Sequence, residues 1–211
     1  MKRPVDQSQS NYIAIDPATL ESRQAYRLQT SLIVPRPIAW VGTVGPEGTY
    51  NCAPFSYFMG VSSHPPVIAF AVGERRTGVK DTVRNIEAVP EFTVNVVTEA
   101  QAEAMVRSSA DIPYGKSEFE FAGLDPVPSE LVRAPRIGGA PVQMECRAIQ
   151  VTRVPDTTTM LILGRVLRFH IARAVLDPQT GVVDIRKLKP VGRLGGTEYC
   201  RITDLFNLER P

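Results

Sequence analysis

Two cations, Arg36 and Lys80, bracket a run of small, amide and hydroxyl residues, Asn51-Cys52-Ala53-Pro54-Phe55-Ser56-Tyr57-Phe58. Ala53 and Pro54 carry little bulk, so a flat ring can approach the backbone there. Asn51, Ser56 and Tyr57 offer hydrogen bonds to the polar edge of such a ring, and Arg or Lys can hold an anionic tail. Arg36 stands between Pro35 and Pro37, which extend the backbone and remove two N–H donors, so its guanidinium is expected as a fixed fork. Lys80 and Thr82 place a cation and a hydroxyl at a helix start, where free N–H groups also favour an anion. Further along, Arg193 lies among Gly192, Gly195 and Gly196, a turn able to approach a cofactor or form an anion nest. The ligand these residues suit is a planar ring with a phosphate tail.

The same pieces carry a family resemblance. Arg36-Pro37-Ile38-Ala39-Trp40-Val41, the Asn51–Phe58 run, Pro65-Pro66, Lys80-Asp81-Thr82, Asn85-Ile86, Glu91-Phe92-Thr93-Val94-Asn95-Val96 and Arg193-Leu194-Gly195-Gly196 with Tyr199 occur in order. In this the chain resembles the flavin reductase-like, FMN-binding split-barrel family from about Leu28 to Ile202. The resemblance implies a split β-barrel, FMN at its rim and a homodimer with each flavin near the subunit interface. It also implies oxidoreduction in which NADH or NADPH visits transiently and reduced flavin serves an acceptor or a partner oxygenase. The expected cofactor residues are Arg36, Trp40, Asn51, Cys52, Ala53, Pro54, Ser56, Tyr57, Lys80, Thr82 and Arg193. Cys52 stands where the family more often has an aliphatic residue. His170 is the candidate catalytic residue: it shares a strand face with Met160, Ile162 and Arg168, opposite the leucine-rich face, and so could border the cofactor cleft. Hydride transfer belongs to the cofactor, so no acid–base dyad is expected. A flavin electron carrier without nicotinamide turnover and a split-barrel oxidase of a small donor are the alternatives.

Composition bounds the rest. The chain has 211 residues, 43% of them hydrophobic, with a formal net charge of +2. That is core enough for a globular domain, and the charge is too small to argue for nucleic acid. Arg75, Arg76 and Arg84 read as scattered surface cations. No apolar run reaches the roughly 20 residues of a membrane helix, and residues 1–16 lack a signal-peptide core, so the reading is cytoplasmic. Cys52, Cys146 and Cys200 are far apart and read as reduced thiols. Gly42, Gly45 and Gly48 have the wrong spacing for a dinucleotide fingerprint, so no resident nicotinamide domain is expected.

The elements divide into an N-terminal extension, residues 1–27, and the barrel domain, residues 28–211. Asp16-Pro17 predicts a helix start, with the helix running to about Tyr26. Leu28–Val34 should lead into a first strand, apolar on both faces from Ile38 to Val44. Gly45-Pro46-Glu47-Gly48 predicts a hairpin, followed by the irregular flavin loop. A strand over Val67–Val72, a helix over Lys80–Val89 and a strand over Phe92–Val97 come next. The pattern Thr98-Glu99-Ala100-Gln101 reads as a capping box for a second helix to about Arg107. Residues 108–141 show no period. Two long antiparallel strands, Val142–Val154 and Met160–Ala172, are joined by a turn, and a Gly-rich turn precedes the last segment. The sum is mainly β, with a few short helices at the rim of a closed barrel.

Overall fold

The computed structural model describes residues 11–75 and 78–209. Its centre is one antiparallel sheet of seven strands: β1 (Ala39–Val44), β2 (Tyr50–Phe55), β3 (Phe58–Ser63), β4 (Pro66–Val72), β5 (Glu91–Val96), β8 (Val142–Arg153) and β9 (Met160–Ile171). Two short pairs are added, β6 (Pro126–Val127) with β7 (Arg136–Ile137), and β10 (Val191–Arg193) with β11 (Tyr199–Arg201). The large sheet runs β2-β1-β5-β8-β9-β4-β3. Its two outermost strands, β2 and β3, are consecutive in the chain and joined only by Ser56 and Tyr57. A flat sheet cannot satisfy that connection, so the sheet curls until its edges meet, giving a barrel with a seam at Ser56-Tyr57. Phe55 of β2 and Phe70 of β4 close the seam from inside, with ring centroids 5.5 Å apart.

Strand alternation sorts the core into layers. Ala39, Val41, Phe55, Phe70, Phe92, Val94, Cys146, Ile162 and Val166 fill the barrel. Ile38, Trp40 and Cys52 face outward into a second cluster with Met105 and Phe119. Those two come from α3 (Ala102–Arg107) and α4 (Glu118–Ala122), the helices that cover β1 and explain its two apolar faces. The Phe92 ring packs on bare backbone: a Cβ on Gly164 would sit 2.2 Å from its Cζ.

Several expectations need correction. Asp16 caps only a 3-10 turn, Pro17–Thr19; the helix proper, α1, runs Ser22–Leu32 behind a Glu21/Gln24 capping box. Residues expected to lead into a strand therefore complete a helix. The run after Asn51 is strand, bend and strand instead of a loop. Thr98 makes no side-chain cap, and its segment opens with a 3-10 turn at Glu99–Gln101. α2 (Asp81–Ala88), β4, β5, β8 and β9 lie within a residue or two of their predicted bounds. Beyond β9, α5 (Ile185–Leu188) precedes β10. Among the described residues, no helix is long and apolar enough to cross a membrane.

Candidate functional site

The seam is where grooves converge. On one side, Ser56 and Tyr57 line a mostly apolar groove of about 410 Å³ with Arg36, Pro37, Phe70 and Ala71. On the other, Pro54 and Ser56 line a groove of about 190 Å³ with Tyr26, Ile38, Arg193 and Tyr199. Ser56 borders both. The larger volume lies in the range of small-molecule sites, and its flat apolar walls with a hydroxyl-bearing edge fit an isoalloxazine ring. Tyr57 is 36% exposed. Burial, the first cause, and the neighbouring Tyr26 raise its pKa while Arg36 opposes them, so its hydroxyl stays a donor at neutral pH.

Lys80 is the N-cap residue of α2, and its ammonium lies 5.3 Å from the centroid of Phe55, the neighbour of Ser56. No ion pair to Lys80 exists among the described residues. Burial chiefly, and the charge of Arg75, push its pKa down, while Asp111 opposes them. A half-buried cation without a carboxylate partner at a helix N-terminus is a place that favours an anion.

Arg36 does something other than the sequence suggests. Only 4% exposed, it donates Nη1–H to the carbonyls of Thr30 (2.6 Å) and Ile33 (2.7 Å) and Nη2–H to that of Leu194 (2.8 Å). Its Nε–H reaches Ser56 Oγ at 3.3 Å. The guanidinium is consumed in tying the end of α1, the seam and the C-terminal segment together, so it is not a free phosphate fork. Arg193 is freer: its guanidinium stacks 4.4 Å over the Tyr199 ring and donates to the Gly196 carbonyl.

Trp40, Asn51, Cys52 and Thr82 are buried, and none of them lines either seam groove. Trp40 is fully buried and donates Nε1–H to Ser108 Oγ at 2.9 Å. Cys52 is equally buried, and its thiol pKa is pushed far up by burial, which keeps it from acting as a thiolate nucleophile. Thr82 donates to Asn51 Oδ1 at 3.2 Å, and Asn51 Nδ2–H donates to Glu118 Oε2 at 2.7 Å. Ala53 packs against the barrel interior. Arg75 is ion-paired with Asp81 (3.2 Å) and Asp111 (2.9 Å), and Arg84 lies 5.2 Å from the Tyr114 ring centre, so these two have structural duties. Arg76 lies outside the described residues.

Glu118 is the residue sequence reasoning missed, because nothing local marks it as buried. It is 1% exposed, and burial, with the charge of Asp81, raises its pKa to about 6 against hydrogen bonds and Arg75 that lower it. A carboxyl whose folded pKa lies above its unfolded value stabilises the fold most below the unfolded value and loses that contribution as pH rises through the folded one. The rise from 4.5 to about 6 corresponds to about 2 kcal/mol lost as pH passes through that window. Glu118→Gln keeps the acceptor for Asn51, so denaturant titrations should show the variant lacking this decline.

Even-numbered residues of β9 face the barrel interior as far as Val166, with Ile162 fully buried and Val166 at 6% exposure. The register with β8 then shifts: Cys146 pairs with Val166 but Glu145 with Arg168, so His170 stands opposite Gln143. His170 therefore shares the outer face of Glu145 and Arg168 and not the face of Ile162 that the sequence suggests. Its Nε2 lies 2.6 Å from Oε1 of buried Glu145, which also accepts the backbone N–H of Glu130 and Leu131. It stands nine positions along β9 from Leu161, a residue of the larger seam groove, or roughly 30 Å at ordinary strand rise. Within this chain His170 is an anchor for the 128–134 segment, and the structure does not bring it to the groove.

Residues 31–188 match the family model described as the flavin reductase like domain. The chain belongs to that family. An uncharacterised protein of Deinococcus radiodurans is 41% identical over 202 residues, covering 92% of this chain and 88% of that one. Nitrilotriacetate monooxygenase component B from Bacillus cereus superposes with a TM-score of 0.89 at 34% identity, over 94% of this chain and all of that one. The 2-nitrobenzoate 2-nitroreductase of Pseudomonas fluorescens gives 0.86 at 34% identity, over 94% and 96% of the two chains. The split barrel is thus shared with flavin reductase-like proteins, and this family member has a flavin-related function.

Proposed function

We propose that the protein is an FMN-dependent NAD(P)H:flavin oxidoreductase whose ring site is the Ser56-Tyr57 seam. The observation that carries this reading is the convergence at Ser56 of an apolar groove wide enough for a ring and a second, open groove on the other side. The flat walls fit the ring, Ser56 and Tyr57 supply hydrogen bonds to its edge, and Lys80 with the first N–H groups of α2 would hold the phosphate. FMN would supply two-electron redox chemistry there, with NAD(P)H as the hydride donor. The chain's residues position, exclude water and hold the tail. Pro54, Arg193 and Tyr199 leave a path for a visiting nicotinamide.

The edge strand β3 presents Met59 and Val61, 60% and 49% exposed, beside Tyr57. An apolar unpaired edge of this kind asks for cover. A second copy of the chain placed there would shield the ring, which supports the homodimer reading. Similarity to a monooxygenase component supports a partner oxygenase as one destination of reduced flavin.

Cofactor released by heat from the purified protein should run as FMN on chromatography, since Lys80 serves a single phosphate. FAD as the main species would overturn that assignment.

A further inference from the structure

Resting on the reading above, we infer that the groove at the far end of the β10–β11 hairpin binds the adenosine 2′-phosphate of NADPH, so that NADPH is the preferred electron donor. The hairpin links two sites. At one end Arg193 pairs with Tyr199, and both line the seam groove. Two residues on, Val191 pairs with Arg201, and Arg201 with Pro190 lines a separate groove of about 270 Å³. Two strand residues span only about 7 Å. A dinucleotide whose nicotinamide lies beside Ser56 can therefore follow the hairpin, pass its diphosphate over Arg193 and reach the second groove.

That groove is cationic. Glu99, Arg186, Lys189 and Arg201 line it. Glu99 is already held by Arg201, whose Nε and Nη2 both lie 2.6 Å from Oε1. Arg186 and Lys189 have no ion-pair partner among the described residues. Lys189 is also fixed in place. Its φ is +50°, a conformation glycine or asparagine adopts more readily. Its N–H donates to the Ile185 carbonyl (3.0 Å) and its carbonyl accepts from Glu99 N–H (3.2 Å). A non-glycine residue held in an uncommon conformation is a place to look for function. A free carboxylate in a nucleotide site selects the ribose diol of NADH, whereas a cation accommodates the 2′-phosphate of NADPH. Here the carboxylate is occupied and the cations are not.

The test is calorimetric titration of the FMN-loaded protein with 2′,5′-ADP and with 5′-AMP. One charge-assisted contact corresponds to roughly ten- to a hundred-fold in affinity, so 2′,5′-ADP should bind at least about tenfold tighter. The double variant Arg186→Gln, Lys189→Asn should lose that preference; both residues are exposed, and asparagine suits the left-handed backbone at position 189. Equal binding of the two ligands to the unaltered protein, or a preference that survives in the variant, overturns the assignment. The ratio of KM values for NADH and NADPH should collapse in parallel. If neither nucleotide reduces the flavin, the donor role falls with the proposed function, while the calorimetric preference still decides the groove.

Discussion

Arg36→Ala should unfold the protein well below the temperature of the parent and weaken FMN and riboflavin alike. The guanidinium satisfies the carbonyls of Thr30, Ile33 and Leu194 from a position 4% exposed. Each buried acceptor left without a donor costs about 1–3 kcal/mol, and opening such a charged network costs about 3–5 kcal/mol in all. For a chain of this size that lowers Tm by about 10 °C or more. Two of the carbonyls close α1, where the helix dipole is negative and a cation belongs. Arg36→Lys should recover little, because a compact ammonium cannot reproduce the planar fork. Thermal melts with titrations of both flavins decide it. An unchanged Tm with loss of FMN affinity alone would return Arg36 to the phosphate.

Lys80→Ala should do what Arg36→Ala does not. Its ammonium is half-buried, has no ion-pair partner among the described residues and sits at the start of α2, 5.3 Å from the ring of Phe55, the residue before Ser56. A hydrogen bond to a charged group is worth roughly 1.5–3 kcal/mol, so FMN affinity should fall about ten- to a hundred-fold. Riboflavin lacks the phosphate and should bind nearly as before, and the melting temperature should hardly move because the stem only covers Phe55. Fluorescence titrations with the two flavins make the comparison. Equal losses would mean that Lys80 supports the wall of the site and does not read the tail.

These two residues show what the sequence makes legible. Chemistry-bearing types and their order were visible, and so were strands with a clear period: β1, β5, β8 and β9 alternate or carry apolar runs bounded by turn residues. The fate of Arg36 was not visible, because its partner Leu194 lies 158 positions away. β3 escaped notice since every residue from Met59 to Ser63 is exposed, and an edge strand without a buried face has no hydrophobic period. The N-terminal helix was misplaced because Asp16-Pro17 is a genuine cap signal that serves a single 3-10 turn. The facing of β9 was misread because its register shifts at Leu167, between Val166 and Arg168, so the alternation of residues 160–166 does not carry on to His170. That error turned His170 from an anchor of Glu145 into a supposed cleft residue. Asn51 and Thr82 were recognised as polar residues of one neighbourhood, yet they bond to each other, and Asn51 to Glu118, which only the folded chain brings near.

The central claim is that a flavin held at the Ser56-Tyr57 seam takes hydride from a visiting nicotinamide. The FMN-loaded protein, made anaerobic and titrated with NADPH and with NADH, tests it most directly. The account predicts that the visible absorption of oxidised flavin is lost with at least one of them, NADPH acting at the lower concentration, and that it returns when an electron acceptor is added. FMN that stays bound and oxidised in the presence of both nucleotides would contradict the account and leave an electron carrier reduced by some other donor.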